Sequence, residues 1–452
     1  MTEQTAPASP GPATPASGSA LARVLAASMA GTTVEWYDFF LYGSAAALVF
    51  PKLFFPDSDP LVGTMLSFLT YALGFAARPL GGLVFGHFGD RIGRKRLLLV
   101  SLLMMGGGTL LIGCLPTYHT LGIGAAFLLV ALRLIQGFAV GGEWSGAVLL
   151  VTEHAPAKRR GLWGSVPQSG VPAGNLIATA VLAVLASVLS DDAFLSWGWR
   201  IPFLLSAVLV ALGYWVRQSV EDAPLFVAAR QRAEQAAQRR APVLEVLRRY
   251  PRQLLVCAAA RFAENVVYYV ITAFVLVYAT TRLGLSKSLI LDALLVANAV
   301  HVLALPAFGA LSDRIGRRPV YLFGAVGTGV WAFVFFLLLD TRNVLAIGVA
   351  VVVGLIIHAA MYGPQAAFFA EQFDTTVRYT GTSIAAQVTA IVAGSVAPLI
   401  ALALLRSFGT GYAVAGYVLA AAVISVVGVL LSTETRDRDL AAEDTPVPTL
   451  VP

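Results

Sequence analysis

Gly86-His87-Phe88-Gly89-Asp90-Arg91-Ile92-Gly93-Arg94-Lys95-Arg96 is a dense run of charge between two long apolar segments, and it recurs. Gly309-Ala310-Leu311-Ser312-Asp313-Arg314-Ile315-Gly316-Arg317-Arg318 keeps a Gly, the run Asp-Arg-Ile-Gly-Arg and a final cation at the same internal spacing. The two aspartates lie about 220 residues apart, roughly half of the chain, and self-similarity at a fixed long period predicts duplicated architecture.

The composition says what is duplicated. Of 452 residues, 58% are hydrophobic and only 12% charged, with mean hydropathy +0.77. A soluble globular chain carries about 25% charged residues, so this composition implies an integral membrane protein. A parallel repeat of helical bundles in such a chain is a mark of secondary transporters. The net charge of +6 would suggest nucleic acid in a soluble domain, but here the cations collect in particular loops. Cys114 and Cys257 both fall in apolar segments and suggest no disulfide framework.

A span needs about 20 apolar residues, and lipid leaves an open chain no choice but the helix. Twelve spans are predicted, at about 22–50, 61–88, 96–115, 121–151, 161–189, 198–216, 253–280, 287–311, 318–339, 343–370, 379–405 and 411–432. The expected divisions are a disordered tail (1–20), a six-helix bundle (21–217), a charged linker (218–251), a second bundle (252–433) and a short tail (434–452). The first tail lacks the pattern of a cleaved signal. Arg91 to Arg96, Lys158 to Arg160, the linker, Arg314 to Arg318, Arg378 and Arg436 all fall on one side, with Lys52, Lys287 and Arg342 among the few on the other. The rich side is cytoplasmic, which puts both termini there, in a multi-pass protein of the cell (inner) membrane.

A second repeat supports the duplication. Glu153 precedes Arg160 by seven positions after the fourth span, and Glu371 precedes Arg378 by seven after the tenth. Each pair follows its Asp-Arg-Ile-Gly-Arg copy at about the same distance.

Ionisable residues inside spans cost several kcal/mol on insertion scales and are functional candidates by default. The first span holds Glu35, Asp38 and Tyr42 on one face, and the fourth holds Arg133 near mid-depth. Asp38 and Arg133 at matching depth could pair. Pairing lowers an acid's pKa and separation lets it rise, which makes a protonation switch; the alternative is a permanent ion pair that fixes helix packing. Glu143, toward the cytoplasmic end of the fourth span, reads as gating or packing. Other polar stripes are Ser67, Tyr71, Gly74 and Arg78 in the second span, and Arg261, Glu264, Asn265, Tyr268 and Thr272 in the seventh. Fainter ones are Gln168 and Asn175 in the fifth, Asn298 and His301 in the eighth, His358, Tyr362 and Gln365 in the tenth, and Thr380, Ser383 and Gln387 in the eleventh. Each faint stripe alone reads as helix–helix glue; together they predict a central polar cavity.

Several classes are excluded. The chain has no Gly-x-x-x-x-Gly-Lys-Ser/Thr phosphate loop, its five histidines lack metal-ligand spacing, and its one Asp-Asp pair, Asp191-Asp192, sits in a short loop. Neither an ATP-driven pump nor an enzyme is expected, nor any cofactor or metal; a proton gradient is the expected drive.

The motifs as a set resemble the major facilitator superfamily, and within it the metabolite:H+ symporters, the family of shikimate, 2-oxoglutarate, citrate and proline/betaine transporters. Gly86 to Lys95 looks like the superfamily's signature loop. Val34-Glu35-Trp36-Tyr37-Asp38-Phe39, Ala77-Arg78-Pro79-Leu80-Gly81, Gly141-Gly142-Glu143-Trp144, Ser196-Trp197-Gly198-Trp199-Arg200-Ile201-Pro202-Phe203 and Gly363-Pro364-Gln365-Ala366-Ala367-Phe368-Phe369-Ala370-Glu371 look like the family's first, second, fourth, sixth and tenth helices. Glu221-Asp222-Ala223-Pro224 departs from the family's Glu-Ser-Pro, in the linker. The resemblance implies an all-α fold of two six-helix bundles, around one site open alternately to each side. It implies that Asp38 accepts the proton, with Glu35 and Arg133 beside it. It further implies a cytoplasmic gate of Gly86, Asp90, Arg91, Gly93, Arg94, Glu153 and Arg160 in one half and Asp313, Arg314, Gly316, Arg317, Glu371 and Arg378 in the other.

The resulting expectation is a functional monomer that imports a small organic acid or zwitterion with protons. Arg78 and Arg261 are candidate carboxylate partners, since a guanidinium matches a carboxylate in bidentate fashion. Tyr42, Tyr71, Gln168, Glu264, Asn265, Tyr268, Tyr362, Gln365 and Gln387 complete the candidate substrate site. The alternatives are a sugar or polyol porter, a proton-driven exporter, or a sensor on the same scaffold.

Overall fold

A computed structural model describes residues 18–92, 94–140, 151, 155–219, 242–374 and 377–438. Twelve long helical elements run through these residues: α1 (Gly18–Leu48), α2 (Pro60–Ile92), α3 (Arg94–Gly113), α4 (Ile123–Val140), α5 (Arg160–Val188), α6 (Arg200–Ser219), α7 (Pro251–Tyr269 and its continuation to Arg282), α8 (Lys287–Ile315), α9 (Arg317–Asp340), α10 (Val344–Ala370), α11 (Arg378–Thr389 and its continuation to Phe408) and α12 (Gly411–Leu431). No strand occurs among the described residues. Among the same residues, nine helices are long and apolar enough to cross a membrane, ten when the bent pair Asp191–Gly198 and Arg200–Trp215 is taken as one span. The 29 residues of α5 extend about 43 Å at 1.5 Å per residue, more than a bilayer's hydrocarbon core. Large apolar side chains such as Phe127, Val184, Leu255, Leu303 and Leu345 are exposed on the outer faces, as expected where lipid is the solvent.

The helices group as α1–α6 and α7–α12, and the halves meet along four pairs: α1 with α7, α2 with α11, α5 with α8, and α5 with α10. The α5–α8 pair is close because it is built on glycine. A Cβ at Gly309 would lie 2.5 Å from the Gly161 carbonyl oxygen, and one at Gly161 would lie 2.4 Å from that of Gly309. Within the first half, a Cβ at Gly137 on α4 would come 1.9 Å from the Gly74 carbonyl oxygen on α2. Small residues are what permit such crossings in membranes.

Helices α7 and α11 are not regular. Val270–Phe274, Tyr278–Arg282 and Ala390–Ser395 are π-helical turns. Each widens the helix by one residue and rotates the turns beyond it, a device often found at functional sites. Tyr268 and Tyr269 stand just before the first of them. They pack against Phe39, Phe40, Tyr71 and Phe75 of the other half, with ring centroids 5.6 to 6.3 Å apart. An aromatic seam therefore closes the middle of the interface.

Candidate functional site

Two buried polar clusters face this seam, one in each half, and a third lies at one end of the interface.

The first cluster is built on α1, α2 and α4. Glu35, Asp38, Arg78, Arg133 and Gln136 line one small cavity with Gly74. Asp38 and Arg133 stand in the separated arrangement, with no ion pair between them. Asp38 is 2% exposed and neither carboxylate oxygen has a hydrogen-bond partner, with Thr109 and Arg133 the polar groups beside it. The Arg133 guanidinium instead lies over the rings of Tyr42, Phe39 and Tyr71, 4.3 to 4.8 Å from their centroids, and donates to Gln136 Oε1 at 3.2 Å. Gln136 in turn donates to Thr109 Oγ1 at 2.7 Å, which ties α4 to α3. Arg78 lies 4.4 Å from the Phe75 centroid and 4.8 Å from that of Phe39. Cation–π contact of this kind is worth about 2 kcal/mol or more when desolvated. It holds a cation in apolar surroundings without consuming its hydrogen-bond donors. Tyr42 bonds Thr70 through its hydroxyl at 2.6 Å, and Tyr71 stacks on Tyr42 at 6.1 Å.

The second cluster is built on α7, α8, α9 and α10 around Glu264. Its Oε1 lies 3.1 Å from His358 Nε2, and His358 Nδ1 lies 2.9 Å from His301 Nε2. Its Oε2 accepts from Asn265 Nδ2 at 3.0 Å and Gln365 Nε2 at 3.2 Å, and lies 3.7 Å from Arg261 Nε. Gln365 also donates to the Tyr321 hydroxyl at 3.0 Å. Tyr268 covers both imidazoles, its ring 4.8 Å from His358 and 5.8 Å from His301. Helical periodicity places His301 and His358 on polar faces of the eighth and tenth spans, but it does not join them into the Glu264–His358–His301 chain. Gln168 joins the halves by donating to the Tyr362 carbonyl at 2.6 Å. Gln387, half-buried on α11, has no hydrogen bond to this cluster.

The third cluster belongs to the repeated motif. Asp313, in the last turn of α8, accepts from the backbone N–H of Gly161 at 2.8 Å and of Leu162 at 2.9 Å, the first residues of α5 in the other half. A carboxylate there satisfies orphan donors and meets the positive end of the helix dipole. Arg317 holds Asp313 at 2.7 Å and Glu371 at 3.1 Å, with no exposure of the Arg317 or Glu371 side chain. Burial pushes the Glu371 carboxyl above its usual range, and the Arg317 guanidinium pulls it back. Arg378 donates to the Ala370 carbonyl at 2.9 Å. Gly316 joins α8 to α9 at φ +108°, a conformation in which a side chain is strained.

The residues after Thr433 read as a tail in the sequence; the described part of them is a strap on this cluster. Glu434 accepts from the N–H groups of Arg317 and Arg318 at 2.9 and 3.0 Å, capping α9. Thr435 donates to Glu371 at 2.7 Å, and Arg436 to the Arg314 carbonyl at 2.8 Å. Arg438 bonds the Glu371 carbonyl at 2.7 Å and pairs with Asp374, while its own carbonyl accepts from Arg160 at 2.7 Å. Arg160 therefore reaches the other half through the strap. In the first copy, Gly86, Asp90, Arg91 and Arg94 lie on helical backbone whose side chains are outside the described residues, as are Gly93, Glu143 and Glu153 altogether.

At the opposite end of the interface Lys287, opening α8, pairs with Asp191 of the first half. Closed at both ends, the halves bury the two central clusters between them. Among the described residues no group of three His, Cys, Asp or Glu is placed to hold a metal.

Comparison with known proteins agrees with this architecture. The Major Facilitator Superfamily profile matches residues 29–398 and 271–448. The Shikimate transporter of Escherichia coli is 42% identical over 416 residues, 92% of this chain and 95% of that one. The Inner membrane metabolite transport protein YhjE of the same organism is 40% identical over 423 residues (92% and 95%), and its Proline/betaine transporter 32% over 429 residues (93% and 85%). Among solved structures, the proton:xylose symporter XylE superposes with TM-score 0.71 at 18% identity, over 93% of this chain and 98% of that one. The chain belongs to the Major Facilitator Superfamily: it is a multi-pass membrane transporter, not an enzyme, built as two six-helix halves.

Proposed function

We propose that this protein is a proton-coupled symporter that imports a small organic acid or zwitterionic metabolite across the inner membrane by alternating access. The observation that carries the proposal is the Asp38 carboxylate, buried without a hydrogen bond in a cavity shared with Arg78 and Arg133. A buried carboxylate without a hydrogen bond is costly as an anion, so it exchanges a proton with whichever side water reaches it from and gives that proton up when Arg133 approaches. The two guanidiniums, held on aromatic faces with donors to spare, suit a substrate carboxylate, and Tyr42, Tyr71, Tyr268 and Tyr269 suit its carbon skeleton. Relatives named for shikimate and for proline and betaine are consistent with an anion or zwitterion of this size. The substrate and the proton then meet at one cavity in the first half, facing the aromatic seam. The Asp313 end faces the cytoplasm, with both termini, and the monomer is the working unit.

The test is uptake of labelled shikimate, proline and betaine into proteoliposomes, with and without an inward proton gradient. Accumulation should require the gradient, since one proton crossing 100 mV supplies about 2.3 kcal/mol. Asp38→Asn should abolish accumulation and leave substrate exchange. Uptake indifferent to the gradient would refute the symport reading, and accumulation by the Asp38→Asn protein would refute the proton site.

A further inference from the structure

The Glu264–His358–His301 chain lies in the half that does not hold Asp38, and with both imidazoles neutral one placement of protons satisfies its hydrogen bonds. Glu264 accepts from two amides and lies against Arg261, so it is a carboxylate and can only accept. His358 Nε2 must then carry a hydrogen to make its 3.1 Å bond to Oε1. A neutral His358 has a bare Nδ1, so the 2.9 Å bond there is donated by His301 Nε2–H. That leaves His301 Nδ1 as a bare acceptor. It is the one ring nitrogen of the pair with no partner, and His301 is fully buried. Both imidazoles are thus Nε2–H tautomers aligned in one direction, ending in an open lone pair.

We infer that this chain is a second proton site, a relay that loads Glu264 through His301 and His358. A proton from water that reaches His301 when the halves separate binds its Nδ1. His301 passes its Nε2 hydrogen to His358 Nδ1, and His358 passes its own Nε2 hydrogen to Glu264 Oε1. One proton has entered, no bond is left unbalanced, both imidazoles end neutral as Nδ1–H tautomers, and Glu264 ends as a neutral acid. The other titratable groups facing the chain are Arg261, Tyr268 and Tyr269 on α7, Tyr321 on α9 and Tyr362 on α10, with Arg78 of α2 beyond Tyr269. Of these only the arginines are charged near neutral pH, so Arg261 is the group that feels the change. With Glu264 neutral, Arg261 loses the negative charge beside it and turns to a carboxylate of the substrate. The anion is recruited only after the proton. This last consequence rests on the organic-acid reading above; the relay itself does not.

The test therefore uses purified protein without substrate. Histidine labelled with nitrogen-15 reports tautomers by NMR, with His301→Gln and His358→Gln giving the assignments. At alkaline pH both rings should be Nε2–H, and on acidification both should become Nδ1–H. In parallel, infrared difference spectra should show a protonated-carboxyl C=O band growing in as pH falls. The band should vanish in Glu264→Gln, shift its midpoint in His301→Gln, and persist in Asp38→Asn alongside loss of any Asp38 band. An Nδ1–H on either ring at alkaline pH, or a band whose midpoint ignores His301→Gln, would overturn the relay; should a variant fail to fold, the direct coupling between the two bonded rings assigns them in the wild type, since His301 and His358 are the hydrogen-bonded pair. Absence of gradient-driven uptake would remove the symport reading and leave this result standing, whereas uptake with tautomers that never switch would remove the relay alone.

Discussion

Replacing Asp313 by Asn tests how firmly the halves are locked at the motif end. Asp313 holds two N–H groups of α5 and, within its own half, Arg317. When this end opens, the Arg317 pair travels with α8, so only the contacts to α5 count toward the gate. An asparagine oxygen can keep one N–H bond, but its NH2 then faces the second N–H as donor against donor. The loss is one hydrogen bond to a charged acceptor plus the carboxylate's interaction with the α5 dipole, together about 2–3 kcal/mol. At 1.36 kcal/mol per factor of ten, the open fraction rises about 30- to 150-fold. Ser165, buried where α5 meets Gly309, is the reporter. With Cys114 and Cys257 replaced by Ser, Ser165→Cys is labelled by a water-soluble thiol reagent at a rate that follows the open fraction. Asp313→Asn should raise that rate by the factor above while thermal unfolding of the solubilised protein stays cooperative. An unchanged labelling rate would refute the assignment of Asp313 as the lock.

The opposite end should behave differently. Lys287 and Asp191 form a single pair, and Asp191 is 82% exposed on its side chain; such pairs contribute about 1 kcal/mol or less. Lys287→Ala should therefore change labelling of a cysteine at that end by no more than about fivefold; a larger effect would refute the ranking of this pair as the weaker fastening. Gly137→Ala pushes a Cβ to 1.9 Å from the Gly74 backbone oxygen, which cannot swing away. It should destabilise the α2–α4 crossing by about 1–3 kcal/mol, as overpacking does, read as a lower unfolding temperature in detergent.

The features legible in the sequence are those that are one-dimensional. The repeat of Asp-Arg-Ile-Gly-Arg needs only spacing, and it leads to the two halves and to Asp313. Spans need only length and hydropathy. Polar faces need only a period of 3.6, which places Glu264, His301, His358 and Gln365 on stripes. Which stripes meet is a matter of helix azimuth, and that lies outside any single window. Asp38 and Arg133 share a depth, so the sequence suggests an ion pair, but the aromatic rings of Phe39, Tyr42 and Tyr71 take the guanidinium instead. The π-helical turns of α7 and α11 add a rotation that no regular period contains. Glu434 escapes notice for a different reason. It is one residue in a polar run after the last span, and its partner Arg317 lies 117 residues earlier.

That strap has a consequence for biogenesis. Glu434, Thr435 and Arg438 come after all twelve helices, so they leave the ribosome once both bundles have entered the membrane. Until then α9 lacks its cap, Glu371 lacks one of its donors, and Arg160 has no carbonyl from the second half to hold. The halves of a nascent chain are then joined at this end by the Asp313 bonds to α5 alone, and the strap is added only once synthesis has passed the final span. A chain cut off after Leu431 would insert as two bundles without this fastening.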